Sequence, residues 1–520
     1  MTAQHARELG PDMSNFLALV DLASETVGGA ALAASDEFFA PKESLLRPEE
    51  PQWRADKYTD RGKWMDGWET RRRRTPGHDW VVIRLGLPGV IRGVVVDTQH
   101  FRGTHPESCS VEACTIIGNP SLEAICGDGV EWREIVPRVQ LEPNARNGFE
   151  VASDQRSTHL RLNIHPDGGV ARLRVHGVVA PGWEQLDFRG GLVDLAAIEN
   201  AGIALAASDE SFGRVQNLIM PGLPRNNGEG WETRRRRGPG NDWALLQLGA
   251  RGLIERVEVD TTHFIGDAPA ACSLEVCTTD KGLDYLTSDD CPWRPLLAQT
   301  PLQPNTRHVF EAALLSAGQT THVRFQIFPD GGVARLRLWG TTAQALSIRT
   351  GLNRLDRLDP SQAESELLRC CGSTAWAQAM VQTRPFADVT TLKRNADQAW
   401  RNLDKFDWLE AFAAHLRLGE EPETGDLVAV WAREEHDSIH RAPAHLRQQI
   451  IEANRSYYER FGHSFVIHSA GMSAGQVLAM LRRRLDNDAA QEIELAAAEQ
   501  SKITRRRLGK LLRMLSQVMA

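Results

Sequence analysis

Two hydrophobic patterns divide the chain. Between about residues 80 and 340, apolar and polar residues alternate over short runs such as VVIRLGL and HLRLNIH, which Gly, Pro and Asp interrupt. Alternation with a period of two is typical of half-buried β-strands. After about Gln344 the apolar residues recur at helical spacing, as at Val477, Leu478 and Leu481 behind a capping Ser473. The pattern predicts a β-rich region followed by an all-α domain.

The β-rich region is an internal duplication. GWETRRRR at 67–74 returns at 230–237, PGHDW returns as PGNDW, VDTQHF as VDTTHF, and PDGGVARLR at 166–174 returns at 329–337. The spacing between matching blocks changes along the chain, which predicts a deletion in the second copy between Glu210 and Gly230. Short strands with turn signals predict an antiparallel jelly roll or β-sandwich in each copy. We therefore expect a multidomain chain with two tandem all-β domains at 16–183 and 188–343 and an all-α domain at 350–517.

Composition limits the partners and the location. The 520 residues exceed what one hydrophobic core supports, and the net charge of −8 disfavours nucleic acid as the main partner. No run approaches the roughly 20 apolar residues of a membrane span, and the N-terminus lacks the apolar core of a signal peptide. The eight cysteines form no CxxC pair. We expect a cytoplasmic homo-oligomer that binds small molecules and neither nucleic acid nor membrane.

Polar side chains concentrate in the loop DRGKWMDGWETRRRRTPGHDW at 60–80. Arginine forks suit a carboxylate, and Asp or Glu accepts hydrogen bonds from urea N–H groups. The candidates for catalysis here are Lys63, Glu69 and His78. The candidates for substrate binding are Glu37, Asp66, Arg71, Asp79 and His100. The alternative is a solvated loop with Trp anchors, in which Arg–Glu pairs join the two copies.

Differences between the copies indicate which one carries the chemistry. The second copy has NNGEGW, without lysine, where the first has Lys63 in GKWMDGW; His78 becomes Asn241, and His165 becomes Phe328. We expect the first copy to carry the chemistry, although one site formed between the copies is also possible. The shared PDGGVARLR predicts a structural turn and strand, whose Arg172 and Arg335 could also bind an anion. No HxH or HExxH spacing is present, so we assign no metal ligand and leave a divalent-metal requirement open.

The first two-thirds of the chain resembles a known enzyme family. GKWMDGWETRRRR, PGHDW, the preceding SDEFFAPKESLL at 35–46 and the duplication itself resemble allantoicase (allantoate amidinohydrolase) over about residues 16–343. The resemblance implies a pair of jelly-roll-like domains. It also implies hydrolysis of allantoate to ureidoglycolate and urea.

The helical third resembles a second family. AHLRLGE at 414–420, AREEHDSI at 432–439, YYERFGHSFVIHSAGMS at 457–473 and AEQSKITRRRLGKLL at 498–512 resemble 2-oxo-4-hydroxy-4-carboxy-5-ureidoimidazoline (OHCU) decarboxylase over about 351–515. The resemblance implies cofactor-free decarboxylation of OHCU to S-allantoin. It carries over the catalytic residues His415, Glu435 and Arg507. It also implies that the substrate's ring is held by the backbone of Phe465, Val466, Ile467, His468 and Ser469.

The residue pattern partly supports these roles. Arg507 lies four residues after Ile503 and four before Leu511, so it falls in the apolar register of its helix and requires an anionic partner. Arg505 is the alternative if the register differs. Arg507 can stabilise the charge left by departing carbon dioxide, and Glu435 can hold ureido N–H groups. An ordinary histidine pKa near 6.5 would suit His415 for proton transfer at neutral pH.

Three residues beside this set depart from the family pattern. Leu416 stands where proline is usual, Ala432 where serine is expected and His436 where glutamine is expected. All three would adjoin the substrate. The sequence therefore predicts a bifunctional enzyme of ureide (purine) catabolism. The alternatives are an allantoicase whose helical domain only mediates assembly, and a non-catalytic jelly-roll protein that binds a ligand.

Overall fold

The computed structural model describes residues 14–116, 118, 120–127, 130–183, 186–187, 191–418, 427–469 and 472–517. The chain divides into two compact units. The first consists of Met1–Gly182 and Leu192–Gly340, and the second of Trp183–Gly191 and Thr341–Ala520. The predicted start of the second copy at 188 lies outside the described residues.

The first unit is built mainly from strands, as the alternation predicts, and most of them are short. The strands of the first copy are β1 Val20–Asp21, β2 Ala30–Ala34, β3 Tyr58–Thr59, β4 Gly62–Lys63, β5 Trp68–Glu69, β6 Asp79–Asp97, β7 Ser108–Cys114, β8 Arg133–Gln140, β9 Arg146–Glu150, β10 Arg156–His165, β11 Gly169–Val170 and β12 Arg172–Val179. Those of the second copy are β13 Val193–Asp194, β14 Ile203–Ala207, β15 Trp231–Glu232, β16 Asp242–Asp260, β17 Ala271–Cys277, β18 Arg294–Pro301, β19 Arg307–Phe310, β20 Thr320–Phe328, β21 Gly332–Val333 and β22 Arg335–Thr342.

Short helices lie between these strands. The α-helices are α1 Ser14–Leu17, α2 Leu122–Cys126 and α3 Leu283–Leu286. The 3₁₀ helices are Glu25–Val27, Lys42–Leu46, Ile198–Asn200, Val215–Ile219 and Asn227–Glu229. They connect strands and contribute apolar side chains such as Leu45 and Leu218 to the core.

The two copies share one antiparallel topology. The first has the strand order β1-β12-β6-β10-β7-β8, with β2 and β9 also on β6, and the second repeats it as β13-β22-β16-β20-β17-β18. The long strand β6 pairs with β10 through its first half and with β12 through its second half, so it passes from one sheet of the sandwich to the other. Apolar side chains that alternate along these strands fill the core.

Several loops of the first copy meet at one end of its sandwich. Glu69 pairs with Gly169, the Gly169 N–H donates to the Thr104 carbonyl at 2.7 Å, and the Asp79 N–H donates to the Pro166 carbonyl at 3.1 Å. We call this the first loop end: residues 35–42, 67–79, 98–107 and 165–171. Gly168 has φ +143°, and a Cβ there would lie 2.7 Å from the backbone of Thr104 and Pro106. The shared PDGG turn is therefore required for close backbone packing.

The predicted deletion has a structural counterpart. The first copy carries the β3–β4 hairpin between residues 47 and 66, whereas the equivalent segment of the second copy, residues 220–230, contains the 3₁₀ turn Asn227–Glu229. Lys63 lies on this hairpin. Its ammonium group is 3.9 Å from the ring centroid of Trp53.

The second unit is helical, as the 3.6-residue periodicity predicts. Its helices are α4 Ala343–Arg357, α5 Pro360–Cys371, α6 Thr374–Gln382, α7 Val389–Arg401, α8 Lys405–Ala413, α9 Leu427–Glu435, α10 Asp437–His440, α11 Ala444–Phe461, α12 Ala474–Arg484 and α13 Ala489–Gln517. Ser473 caps α12 as predicted, since its Oγ accepts from Gln476 N at 3.2 Å. Among the described helices, none has the length and apolar character needed to cross a membrane.

Helices α4 and α13 approach closely at one glycine. A Cβ at Gly351 would lie 1.8 Å from the carbonyl oxygen of Leu512. We expect Gly351→Ala to lower the free energy of unfolding by roughly 1–3 kcal/mol, because the helices would have to separate. Chemical denaturation followed by circular dichroism at 222 nm measures this effect. The exposed neighbour Thr350 is the control: Thr350→Ala should stay within about 0.5 kcal/mol of wild type, and equal midpoints for the two variants would contradict the prediction.

Candidate active sites

A buried ion pair lies at the centre of the helical unit. Glu435 is the last residue of α9, and Arg507 lies within α13. Arg507 Nε donates to Glu435 Oε1 at 3.1 Å and Arg507 Nη2 to Glu435 Oε2 at 2.7 Å, while the two residues are only 3% and 8% exposed. The expectation that Arg507 needs an anionic partner is confirmed. Two parallel hydrogen bonds fix the carboxylate and the guanidinium in one plane.

Charge balance keeps this pair ionised. Burial alone would raise the pKa of Glu435, but the hydrogen bonds and charge of Arg507 outweigh it and hold that pKa below its ordinary value. Glu435 occupies the Nε and Nη2 edge of the guanidinium. Arg507 has five N–H donors, and the other three make no hydrogen bond to the described residues, so they can donate to an anionic ligand.

His415 follows α8 and contacts a buried glutamine. Gln500 is fully buried on α13, and its amide nitrogen donates to the Cys371 carbonyl at 3.3 Å and to Thr504 Oγ1 at 3.2 Å. The amide oxygen therefore faces His415 Nε2, which must carry the proton because an oxygen can only accept. This fixes the tautomer of His415 and leaves its Nδ1 as an acceptor.

The protonation state of His415 differs from the sequence expectation. Burial, followed by the charge of Arg507, lowers the pKa of His415 to about 3. The expectation of an ordinary pKa near 6.5 was therefore wrong, because it left out desolvation. His415 is a neutral imidazole at neutral pH and can act through its acceptor nitrogen.

The predicted cradle segment lies beside the ion pair. Ser469 Oγ donates to the Glu435 carbonyl at 2.6 Å. The His468 N–H donates to Glu499 Oε2 at 2.8 Å, and the Val466 carbonyl accepts from Arg484 Nη1 at 2.8 Å. Two backbone groups of the segment are thus already engaged within the protein. The side chains of Phe465, Val466, Ile467 and Ser469 are buried.

The three departures from the family pattern are also close to this set. Leu416 directly follows His415, and Ala432 is buried on α9, one turn before His436, which follows that helix. Burial lowers the pKa of His436 to about 4, and its Nδ1 is 3.4 Å from Ser469 Oγ. Arg505, the alternative to Arg507, instead pairs with Asp397 at 2.6 Å. The register that selects Arg507 is therefore correct.

Two groups of titratable side chains lie at the first loop end. Glu69 is half-buried on β5, and burial raises its pKa to about 7 against a single opposing hydrogen bond from Thr104. His78 lies before β6 with its ring centroid 4.6 Å from that of His165, the last residue of β10. Burial, His78 and Arg138 together lower the pKa of His165 to about 4. Of these side chains, Glu69 has a pKa suited to proton transfer near neutral pH.

The other candidates in this unit are engaged in contacts that the second copy often repeats. Asp79 accepts from Ser35 and Arg73 as Asp242 does from Ser208 and Arg236. His100 Nε2 lies 3.1 Å from the Pro51 carbonyl, and His263 makes the same contact with Pro224. The remaining pairs are Asp66 with Arg172 at 2.8 Å, Glu37 with Lys42 at 3.2 Å and Arg71 with Asp36 at 2.6 Å. Substrate-binding roles for these residues stay predictions.

Sequence reasoning missed Gln500 and Asn163. Gln500 precedes Arg507 by two helical turns, so its position on the same buried face was available from the sequence. Asn163 precedes His165 by two on β10 and therefore shares its face. Within the described ranges, no three His, Cys, Asp or Glu side chains converge on a possible metal position.

Comparisons with known proteins follow the same division of the chain. A family model described as the allantoicase repeat matches residues 20–180 and 193–343, and one described as OHCU decarboxylase matches 356–509. A probable allantoicase 1 of Burkholderia mallei is 48% identical over 323 residues, covering 62% of this chain and 94% of the relative. A probable allantoicase of Pseudomonas aeruginosa is 45% identical over 343 residues, covering 66% and 99%. The crystal structure of allantoicase from Saccharomyces cerevisiae matches with a TM-score of 0.52 and 34% identity, covering 65% and 98%.

The buried pair predicts a sharp contrast between two neighbouring glutamates. Glu435→Gln should lower the free energy of unfolding by about 3–5 kcal/mol, because it leaves Arg507 charged and unpaired in the interior. Glu434→Gln removes only an exposed carboxylate that pairs with Lys510 at 2.7 Å, and should cost less than about 1 kcal/mol. Denaturant titration of both variants measures the difference. Equal stabilities would contradict the described burial of the pair.

The raised pKa of Glu69 predicts a pH-dependent stability. Folding favours the protonated acid, so this residue lowers the free energy of unfolding as pH rises from about 4.5 to 7. Glu69→Gln mimics the neutral form. Its advantage over wild type should therefore grow across that range to roughly 2–3 kcal/mol by pH 8.

Thermal melts of the variant and wild type at pH 4.5 and pH 8 measure this trend. Glu43→Gln is the control, because its salt bridge to Lys42 lowers the pKa of Glu43 from 4.5 despite some burial. The stability that Glu43 contributes is lost mainly below pH 4.5, so the gap between this variant and wild type should change little between pH 4.5 and pH 8, and in the opposite sense. A pH-independent gap for Glu69→Gln would show that Glu69 is not desolvated.

Proposed function

The chain belongs to the allantoicase family and continues into an OHCU decarboxylase domain, and on that premise we propose a bifunctional enzyme of ureide catabolism. Its first unit hydrolyses allantoate to ureidoglycolate and urea, and its helical unit decarboxylates OHCU to S-allantoin. Both family resemblances expected from the sequence are confirmed. The observation that carries the second activity is the buried Arg507–Glu435 pair together with His415.

The helical site supports a cofactor-free decarboxylation. The bond to the carboxyl group breaks, carbon dioxide leaves, and the electron pair stays on the ring carbon and spreads toward the C=N and carbonyl groups. The remaining N–H donors of Arg507 would stabilise that charge, and Glu435 would orient ureido N–H groups. Neutral His415 would accept the substrate's hydroxyl hydrogen bond at Nδ1 and take part in proton transfer. Protonation from one side then sets the hand of the product.

The first loop end supports the hydrolysis. Water oxygen bonds to the central carbon of allantoate, the carbon–nitrogen bond breaks, and one proton of water passes to the leaving ureido nitrogen. A group that gains and loses a proton near pH 7 suits this transfer, which is why we propose Glu69 as general acid–base. His78 and Lys63 remain candidates for a second catalytic group beside Glu69. We favour His78, because its ring contacts that of His165.

One observation favours a second candidate function. Leu416, Ala432 and His436 depart from the family pattern beside Glu435 and His415. A helical unit that had lost catalysis and served only in assembly would tolerate such changes. An ionised pair and a fixed imidazole tautomer favour an active site instead, because burying them without use lowers stability.

Several properties extend beyond the families themselves. We propose that the decarboxylase half needs no cofactor and leave open whether the allantoicase half needs a divalent metal. We further propose a homo-oligomer in the cytoplasm. All eight cysteines are unpaired, which is usual in a reducing compartment.

The two activities should separate by mutation. Purified protein should release urea from allantoate and decarboxylate freshly generated OHCU. His415→Asn should lower decarboxylation at least about 100-fold and leave urea release unchanged. The exposed His445→Asn is the matched control and should change neither rate.

Each outcome bears on one half of the proposal. Wild-type protein that releases no urea, with divalent metals supplied, contradicts the hydrolase half. Normal decarboxylation by His415→Asn contradicts the helical site. Repeating the urea assay after chelator treatment and metal restoration decides whether a divalent metal is required.

A further inference from the structure

A polar surface lies on the first copy away from its core. Strand register places Arg161 opposite Glu112, Asn163 opposite Ser110 and His165 opposite Ser108. Leu160, Leu162 and Ile164 alternate with these residues and lie in the core, so the polar set occupies the other side of the sheet. We call Ser110, Glu112, Arg161, Asn163 and His165 the outer polar face.

This face contains a buried acceptor that lacks a donor. Asn163 is 6% exposed, and its amide nitrogen donates to Glu112 Oε2 at 2.9 Å and to Ser110 Oγ at 3.3 Å. The carboxylate, which also accepts from Arg161 at 2.7 Å, can only accept, so the amide nitrogen must face it. Among the described residues, Asn163 Oδ1 then has no hydrogen-bond partner. Such an atom costs free energy unless a ligand or water supplies a donor.

Two imidazoles extend this face toward solvent. His165 Nε2 is 3.5 Å from Ser110 Oγ, and the His165 ring lies 4.6 Å from that of His78 between centroids. Asn163 is buried, His165 is half-buried and His78 is exposed, so the three residues span the depth of the face. His165 is neutral at pH 7 because burial lowers its pKa. It can therefore donate with one ring nitrogen and accept with the other.

The second copy shows the same framework in a closed form. It keeps the ion pair as Glu275 with Arg324 at 2.6 Å, but Gln326 replaces Asn163, Asn241 replaces His78 and Phe328 replaces His165. There the Asn241 amide nitrogen donates to Gln326 Oε1 at 3.3 Å. The acceptor that is open in the first copy is satisfied within the protein in the second.

The charged groups around Asn163 Oδ1 limit the kind of ligand group that can bind there. Glu112 is already neutralised by Arg161, and the nearby Arg138 disfavours a cation. A lone carbonyl acceptor disfavours an anion at the same point. The group that suits this oxygen is therefore a neutral N–H donor, and a ureido group provides such donors.

We propose that Asn163, His165 and His78 form a ureide-binding subsite of the first copy, in which Asn163 Oδ1 accepts a ureido N–H and the imidazoles contact the same substrate. This inference rests on the proposed hydrolysis of allantoate. It places substrate recognition in the first copy alone. The second copy has closed the equivalent position with its own side chains.

Exchanging residues between the copies tests the subsite. His165→Phe, and the double variant His78→Asn with Asn163→Gln, install the residues that the second copy already holds at the equivalent positions, so both should fold. Each should lower kcat/KM for urea release from allantoate at least about 100-fold, with a raised KM. Asn241→His and Phe328→His in the second copy are the matched controls and should stay within about twofold of wild type.

OHCU decarboxylation and thermal melts of the same full-length proteins show whether they are folded. Wild-type protein that releases no urea would overturn the proposed hydrolysis itself. Active wild type with unimpaired, folded first-copy variants would overturn the subsite alone. Equal losses in the first-copy and second-copy variants would also overturn it, because recognition would then not reside in the first copy.

Discussion

A guanidinium group removed from water must be paired with oxygen acceptors, and this constraint organises both units. In the first copy Arg172 binds the Asp66 carboxylate and the Glu49 carbonyl, and in the helical unit Arg484 binds Glu492 and the Val466 carbonyl. Arg507 with Glu435 follows the same rule. The pairs Asp66–Arg172 and Glu435–Arg507 join segments that are 106 and 72 residues apart, and Arg484 also reaches Val466, 18 residues before it. Because removing one partner leaves a buried charge, these pairs hold the loops that surround the proposed sites in defined positions.

Comparing the two copies of the duplication distinguishes side chains that the shared fold requires from side chains that it does not require. Contacts that both copies make, such as the Val175 N–H with Asp21 and the Leu338 N–H with Asp194, serve the fold that the copies share. Side chains that differ within a common framework are free of that requirement. His78, Asn163 and His165 belong to the second group, since Asn241, Gln326 and Phe328 occupy the equivalent positions of the second copy. The residues that recognise the substrate in the first copy are therefore to be sought among the differences, whereas the proposed general acid–base Glu69 is shared with the second copy as Glu232.

Desolvation decides how the titratable groups behave. Glu69, His165 and His415 are ordinary residues in the sequence, yet burial raises the pKa of Glu69 to about 7 and lowers those of His165 and His415 to about 4 and 3. Burial by itself would raise the pKa of Glu435, but its partner Arg507 lowers it. The helical site is thus an ionised pair beside a neutral imidazole. Proton transfer there depends on hydrogen bonding to the imidazole, not on its charge.

The sequence alone determined the strand and helix classes, the duplication, the Ser473 cap and the burial of Arg507, because each depends on local periodicity or a short motif. It also identified both families. Three features were decided by the tertiary structure alone. They are the contact of Gln500 with His415, the buried Asn163 oxygen that has no donor among the described residues, and the low pKa of His415. These arise from the exclusion of water and from contacts between residues far apart in sequence, such as the 85 positions between His415 and Gln500, and neither is encoded in any local pattern.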